Sequence, residues 1–269
     1  MLKTTANHLF RRLEQLNGIG AALSRERDIE RLLENILEAA KALTGADGGT
    51  LYRVTDDQAA LRFEIMRTDS LGIRQGGTTG QRIHLPELPL RRADGTPNDA
   101  LVAAYAAIHD RTVNIADAYA EEGFDFSGTR AFDQRTGYRS QSFLTVPMKN
   151  HDGELIGVLQ LLNALDPDTG EVVPFSEADQ SLTESLASQA AIALSNRLLI
   201  TQLERLFESF VKLINVAIDE KSPYTGGHCE RVPELTMMLA EAADATTTGP
   251  LADFRMTERD RYELQMAGL

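Results

Sequence analysis

The sequence has no tryptophan, a single cysteine and no long apolar run. Each shortage excludes something. One thiol, Cys229, cannot form an internal disulfide, and this fits a reducing cytoplasm. No stretch approaches the roughly 20 apolar residues of a membrane helix. Met1 to Arg12 mixes Lys, Arg and His with isolated apolar residues and lacks the continuous core of a secretory signal. No run of Lys or Arg exceeds two, and the formal net charge is −13. Such a chain repels nucleic acid and anionic membrane, so neither is expected as a partner. What is present is ordinary for a folded protein: 42% apolar and 25% charged residues over a length of 269, enough for one large or two ordinary domains.

Residues 1–20 predict a helix with Leu9, Leu13 and Leu16 on one face, ending at the Gly18/Gly20 pair. After Ser24 a stronger helix follows, with Ile29, Leu32, Leu33, Ile36, Leu37, Ala40 and Leu43 at helical spacing and Gly45 as its C-terminal cap. The texture then becomes strand-like. Gly49 to Val54 and Leu61 to Arg67 flank a Thr55-Asp56-Asp57 turn. Residues 70–98 read as loops with one further strand, Asp99 to His109 as a helix, Thr112 to Ile115 as a strand, and 117–141 as loop-rich, with Phe124, Phe126, Phe132 and Tyr138 spread among polar groups. Ser142 to Lys149 and Glu154 to Leu162 form a hairpin about Asp152-Gly153. The second of these strands is almost wholly apolar and therefore reads as central, buried on both faces.

A long helix begins after Ser176, its N-cap, with Glu177 and Asp179 in the positive first turn. Nothing stops it before Ser222-Pro223. Leu182, Leu186, Gln189, Ala193, Asn196, Ile200, Leu203, Phe207, Phe210, Ile214 and Ala217 follow a 4-3 spacing, the stripe that buries itself against another helix. A partner chain's copy is the simplest cover. A second face, Ala187, Ala190, Ala191, Leu194 and Leu198, would then lie on the sheet. The alternative is a helix kinked near 196–202 and packed within one chain. Beyond a turn at Tyr224 to Gly227, His228 to Ala243 and a helix capped by Thr257 complete the sequence. No Gly cap or Pro stop follows Leu269, which suggests a domain cut mid-helix.

The run Thr136-Gly137-Tyr138-Arg139-Ser140-Gln141-Ser142-Phe143-Leu144-Thr145-Val146-Pro147-Met148-Lys149-Asn150, continued by Gly153 to Asn163, resembles the middle of GAF domains, above all those of cyclic-nucleotide phosphodiesterases and their bacterial relatives. The resemblance covers about residues 22–198. It implies an α+β fold in which a mixed or antiparallel sheet of five or six strands carries flanking helices, with terminal helices pairing as a parallel homodimer. The family's spaced Asn-Lys…Phe…Asp-Glu motif falls on Asn163, Ala164, Phe175, Asp179 and Gln180. Asn, Phe and Asp are kept; Lys is replaced by Ala and Glu by Gln. In the family this motif looks like a brace for the pocket lid, and the Lys-to-Ala change removes a Lys–Asp pair. A second run, Asp219 to Val232, resembles the opening of bacterial HD and HD-GYP phosphohydrolase domains, which bind two or three metal ions and hydrolyse phosphate esters, often cyclic di-GMP.

The resemblances divide the chain into an N-terminal dimerisation helix (1–20), a sensor domain (22–198), a connecting helix (199–222) and a truncated HD-type segment (223–269). The HD ligand set is represented only by His228, and one imidazole does not hold a catalytic metal. Divalent ions are thus expected in a complete HD domain and no cofactor in this chain. His109-Asp110 and His151-Asp152 lack the helical context of a ligand dyad. The glycines at 72, 76, 77 and 80 lack a phosphate-binding Lys-Ser or Lys-Thr. A bilin is not expected, because the one cysteine lies outside the sensor domain. The implied site is a pocket for a small molecule, a cyclic nucleotide among the candidates, under residues 112–141. Asp117, Phe126, Thr136, Tyr138 and Ser142 are its candidate residues: Phe126 to stack on a purine, Asp117 or Thr136 to read its edge. The reading is a sensor controlling an HD-type phosphohydrolase. Its rivals are a catalytic cyclic di-GMP phosphodiesterase in a longer parent and a ligand-free dimerisation module.

Overall fold

The computed structural model describes residues 2–221 and 228–268; the side chains of 2–11, 13, 218–221, 228–230, 258 and 268 lie outside that description. The chain divides into two compact units, Met1–Leu198 and Leu199–Leu269. The first opens with helices α1 (Leu2–Leu23) and α2 (Ile29–Thr44) and strands β1 (Ala46–Val54), β2 (Ala60–Thr68), β3 (Ile73–Gly76) and β4 (Leu88–Pro89). Helix α3 (Val102–His109), strand β5 (Val113–Ile115), helix α4 (Ser127–Thr136) and strands β6 (Phe143–Lys149), β7 (Leu155–Leu165) and β8 (Val172–Val173) follow. Helix α5 (Glu177–Lys221) runs from the first unit into the second, which holds α6 (His228–Asp244) and α7 (Glu258–Gly268). No helix among the described residues is long and apolar enough to cross a membrane.

The strands form one antiparallel sheet in the order β3-β2-β1-β7-β6-β5, with the two-residue strands β4 and β8 added beside β2 and β7. The α+β class and the six-strand path agree with expectation, and β7 is central as its apolar run required. Its one glycine between apolar neighbours, Gly157, has a steric reason: a Cβ there would lie 2.1 Å from the Tyr52 carbonyl oxygen of β1.

The sheet's two faces differ. One carries the main core, where Leu51, Leu144, Leu159 and Leu161 meet Leu32, Ile36 and Leu37 of α2 and Leu186, Ala190 and Leu194 of α5. Helix α2 is well punctuated for this role. Asp28 caps it by accepting the Arg31 N–H at 2.8 Å, and Gly45 ends it in the left-handed region at φ 66°.

Three expectations are corrected. Helix α1 does not end at Gly18/Gly20 but continues to Leu23. Leu16 and Leu23 are buried in the main core, and a Cβ at Gly20 would lie 1.8 Å from the Gln189 side chain, so glycine there lets α1 press close to α5. Burial against α5 overrides the helix-breaking tendency of two glycines. Residues 117–141 are not all loop, since α4 occupies 127–136. Its sequence, SGTRAFDQRT, buries only Asp133, so no apolar periodicity announces it. Finally, the 4-3 stripe of α5 divides: Leu182, Leu186 and Ala193 are buried within this chain, together with the alanines of the second face. Asn196 is exposed, and the apolar members of the stripe become so beyond Leu198, with Leu203 at 64% and Phe210 at 57%.

Candidate functional site

The opposite sheet face is only partly covered, by α3, α4 and the loop through Leu85–Leu88. Between these walls and the sheet is a cavity of about 460 Å³. Its floor is Thr50 and Tyr52 of β1, Phe63 and Met66 of β2, Phe143 of β6 and Gln160 and Leu162 of β7. Leu101 to Ala103 and Phe126 to Thr129, with Phe132 and Arg135, make the helical wall. The cavity exists because two small apolar clusters hold the walls apart. Ala103 and Ala107 pack on Tyr52, Leu61 and Val158 at one end. Phe126 and Phe143, rings 5.4 Å apart, pack with Ile115 and Ala118 at the other. The lining is aromatic and apolar with a few polar groups, the composition of a small-molecule site, and its size falls within the usual range of about 300–1,000 Å³.

Of the five residues singled out for the ligand, Phe126 alone lines this cavity. The others hold the segment between α4 and β6. Asp117 accepts the Tyr119 backbone N–H at 2.9 Å and lies 3.6 Å from the Arg139 guanidinium. Thr136 donates to the Phe132 carbonyl within α4. The Tyr138 hydroxyl donates to Asp47 at 2.6 Å, and the buried Ser142 hydroxyl accepts the Ala164 N–H at 3.2 Å. Sequence spacing placed these residues near the pocket; the pleat and the α4 turn point them away from it.

Two buried carboxylates that sequence reasoning missed organise that segment. Asp47 accepts from Tyr138, from the Ser70 hydroxyl at 2.7 Å and from the Ser70 N–H at 3.0 Å. Asp133 accepts from the Tyr119 hydroxyl and from both the N–H and hydroxyl of Ser140. Burial, then the bond to the Asp47 carboxylate, pushes the Tyr138 hydroxyl well above the ordinary tyrosine value, and burial does the same to Tyr52. The sign follows directly. Both groups hold their protons in the folded state after an unfolded chain would release them near pH 10. Their contribution to stability is therefore complete below about pH 10 and is lost as pH rises further. An ultraviolet titration should leave Tyr52 and Tyr138 protonated well above pH 10, until the fold is lost.

The three retained motif residues have distinct roles. Asn163, buried and at φ 54°, accepts the Gln141 and Ser142 N–H groups through Oδ1 and donates to the Arg139 carbonyl through Nδ2. Phe175 is in the main core, and its carbonyl accepts from Asn114 of β5. Asp179 exchanges hydrogen bonds with Ser176 at the start of α5, a reciprocal cap, and also pairs with Arg12 of α1 at 2.5 Å. Ala164 leaves Asp179 without the family's lysine; Arg12, which also donates to the Leu43 carbonyl, supplies a cation from another helix. His228 opens α6, but its side chain, like that of Cys229, lies outside the described residues. Among the described residues no three His, Cys, Asp or Glu side chains converge as a metal site requires.

A family model described as GAF domain matches residues 28–194. The chain belongs to the GAF-domain family. Two curated relatives are similar to this GAF chain. The dual 3',5'-cyclic-AMP and -GMP phosphodiesterase 11A of Takifugu rubripes is 34% identical over 118 residues, 44% of this chain, and the dual phosphodiesterase 11 of Drosophila melanogaster is 29% identical over 174 residues, 64% of this chain. The matches span only 12% and 11% of those enzymes. Among solved structures, the GAF domain of a phosphoenolpyruvate-protein phosphotransferase from Coxiella burnetii aligns with a TM-score of 0.53 at 17% identity, covering 72% of this chain and 98% of that one. The corresponding Acinetobacter domain gives 0.51 at 16% identity, covering 71% and 98%. These two likenesses show the fold.

Proposed function

We propose that this GAF domain is a sensor whose cavity takes a 3',5'-cyclic nucleotide and whose occupancy is passed along α5 to an output domain. The observation that carries the reading is the aromatic cavity with polar groups at opposite sides. Phe63, Phe126 and Phe143 offer faces to a planar base. Across the cavity from Phe63 and Phe143, and beside Phe126, are the first turn of α4, Ser127 to Thr129, and Arg135, a cation with no ion pair among the described residues. Backbone N–H groups of a helix start and a guanidinium both favour a phosphate. The similarity to phosphodiesterases that act on cyclic AMP and cyclic GMP adds support.

The route to the output is physical. Wall helix α4 continues into 139–142, which Asn163 ties to the end of β7, close in sequence to Phe175 and the capped start of α5. A ligand that prefers one position of α4 shifts this chain of contacts only by its difference in affinity for the two states. The exposed 4-3 stripe of α5, Leu203, Phe210 and their neighbours, suits a second copy of the helix, giving a homodimer through the terminal helices. The run from Asp219 to Val232 supports an HD-type metal-dependent phosphohydrolase as the output.

Calorimetric titration of the 269-residue protein with cyclic AMP and cyclic GMP tests the ligand. One of them should bind and raise the melting temperature, by the equivalent of about 2.7 kcal/mol at a hundredfold excess over Kd. No binding and no thermal shift from either at millimolar concentration would discard the cyclic-nucleotide reading.

A further inference from the structure

Three polar residues stand in one row across the middle of the sheet. Thr50 of β1 is the direct cross-strand neighbour of Gln160 of β7, and Gln160 that of Thr145 of β6. The pleat therefore turns all three to the same face, the one with the cavity. Thr145 is fully buried at its end of the row, while Thr50 and Gln160 line the cavity floor. The side chains around them are apolar: Phe63 and Met66 on one side, Phe143 and Leu162 on the other.

The row is wired in one direction. The Tyr52 hydroxyl donates to Gln160 Oε1 at 3.2 Å, and Gln160 Nε2 donates to Thr145 Oγ1 at 3.0 Å. A primary amide has two N–H donors and two acceptor lone pairs. The Tyr52 bond uses one lone pair and the Thr145 bond one N–H. One N–H and one lone pair of Gln160 therefore remain for a further partner, in an amide held from both ends by Tyr52 and Thr145. A ligand with a matching edge would pair with both remaining groups of this partly buried amide.

We propose that Gln160 is the residue that sets specificity in this pocket, reading an adjacent donor–acceptor pair on the edge of a planar heterocycle. The ligand class is a nucleobase or another ring carrying an amide-like edge. A carboxylate entering ring-end first presents two acceptors and meets the Oε1 lone pair with repulsion. A ring without a polar edge leaves the amide unpaired. The proposal rests on the ligand reading above but adds which part of the ligand is recognised and by what.

The test compares cyclic AMP, cyclic GMP, the unsubstituted purine riboside 3',5'-cyclic phosphate and the free bases adenine and guanine. Each is titrated by calorimetry into the 269-residue protein and into Gln160→Leu and Gln160→Glu. The preferred cyclic nucleotide should bind at least roughly tenfold more tightly than the unsubstituted purine analogue, because a site built to hydrogen-bond an edge rejects the ligand lacking it. Gln160→Leu should bring the two within about twofold while leaving the analogue's own affinity in place, whereas Gln160→Glu should change which base is preferred. Equal binding of all three cyclic phosphates by the unaltered protein, or discrimination that survives Gln160→Leu, overturns the proposal even if cyclic nucleotides bind. Free bases that bind and lose affinity in Gln160→Leu, with cyclic phosphates failing, uphold it and discard the cyclic-nucleotide reading alone. No binding by any of the five overturns both. Should Gln160→Leu fail to fold, the unaltered protein's discrimination and Gln160→Glu decide.

Discussion

Gly157→Ala is expected to lower the stability of the GAF domain by about 3 kcal/mol or more, the upper end of the range for overpacking a core. The added carbon would lie 2.1 Å from the Tyr52 carbonyl oxygen. Even close carbon–oxygen contacts between strands keep about 3.3 Å. The obstacle is backbone in the neighbouring central strand, so no side chain can swing aside. Either β1 and β7 part locally, losing ladder hydrogen bonds, or the whole pair shifts against α2 and α5. For a domain of this size, 3 kcal/mol corresponds to about 6–12 °C in Tm. Gly128→Ala is the control. Nothing lies within 4 Å of a Cβ there, and Gly128 is inside α4, so alanine should be neutral or slightly stabilising. A Gly157→Ala protein melting within 2 °C of the parent would show that the two strands are not so close.

The second large effect is at Asn163, where two separate contributions can be resolved. Its side chain satisfies the Gln141 and Ser142 N–H groups, and each buried donor left unpaired costs about 1–3 kcal/mol. Its backbone sits at φ 54°, which glycine and asparagine adopt more readily than alanine. Asn163→Gly removes only the hydrogen bonds and should cost about 2–4 kcal/mol. Asn163→Ala should cost about 1–2 kcal/mol more. Asn163→Asp keeps the acceptor and the backbone preference but sets a buried carboxylate oxygen against the Arg139 carbonyl, so it should recover only part of the loss. Urea unfolding of the three variants gives the order. Equal losses for Gly and Ala would remove the backbone contribution, and an undiminished Asn163→Gly would remove the hydrogen-bond one. Hydrogen exchange at residues 139–142 should rise in the Gly and Ala variants even where the sheet remains protected.

The parts of this fold legible in the sequence were those whose pattern is set by burial on one face or two. The Leu32–Leu43 periodicity, the Asp152-Gly153 hairpin and the apolar run of β7 each placed an element correctly. Helix α4 was not legible because it buries a carboxylate rather than a stripe, and the helix exists to aim Asp133 at Ser140. Nor was the division of α5's stripe legible, because spacing states that a face is covered but not by what. The site was legible only as a region. Tyr138 and Ser142 lie beside it in sequence yet face buried partners, while Asp47 and Gln160 come from strands whose neighbours are apolar. Gln160 did leave a signal: it is the one amide inside the run Leu155 to Leu162. A polar residue in a strand buried on both faces calls for a partner, and here part of its bonding capacity faces the cavity.

Strands β1 and β7 carry core and cavity on alternate residues. Leu51, Leu159 and Leu161 face the helices, while Thr50, Tyr52, Gln160 and Leu162 face the cavity. The two sets answer to different selection. A change at a helix-facing position is felt as lost packing, whereas a change at a cavity-facing position alters a wall that already borders empty space. A lineage built on this sheet can therefore alter the cavity at Thr50, Gln160 and Leu162 with less loss of stability than at the leucines, whereas Tyr52, packed among Leu61, Ala103 and Val158, answers to both demands. The same chain architecture thus stays open to new signals.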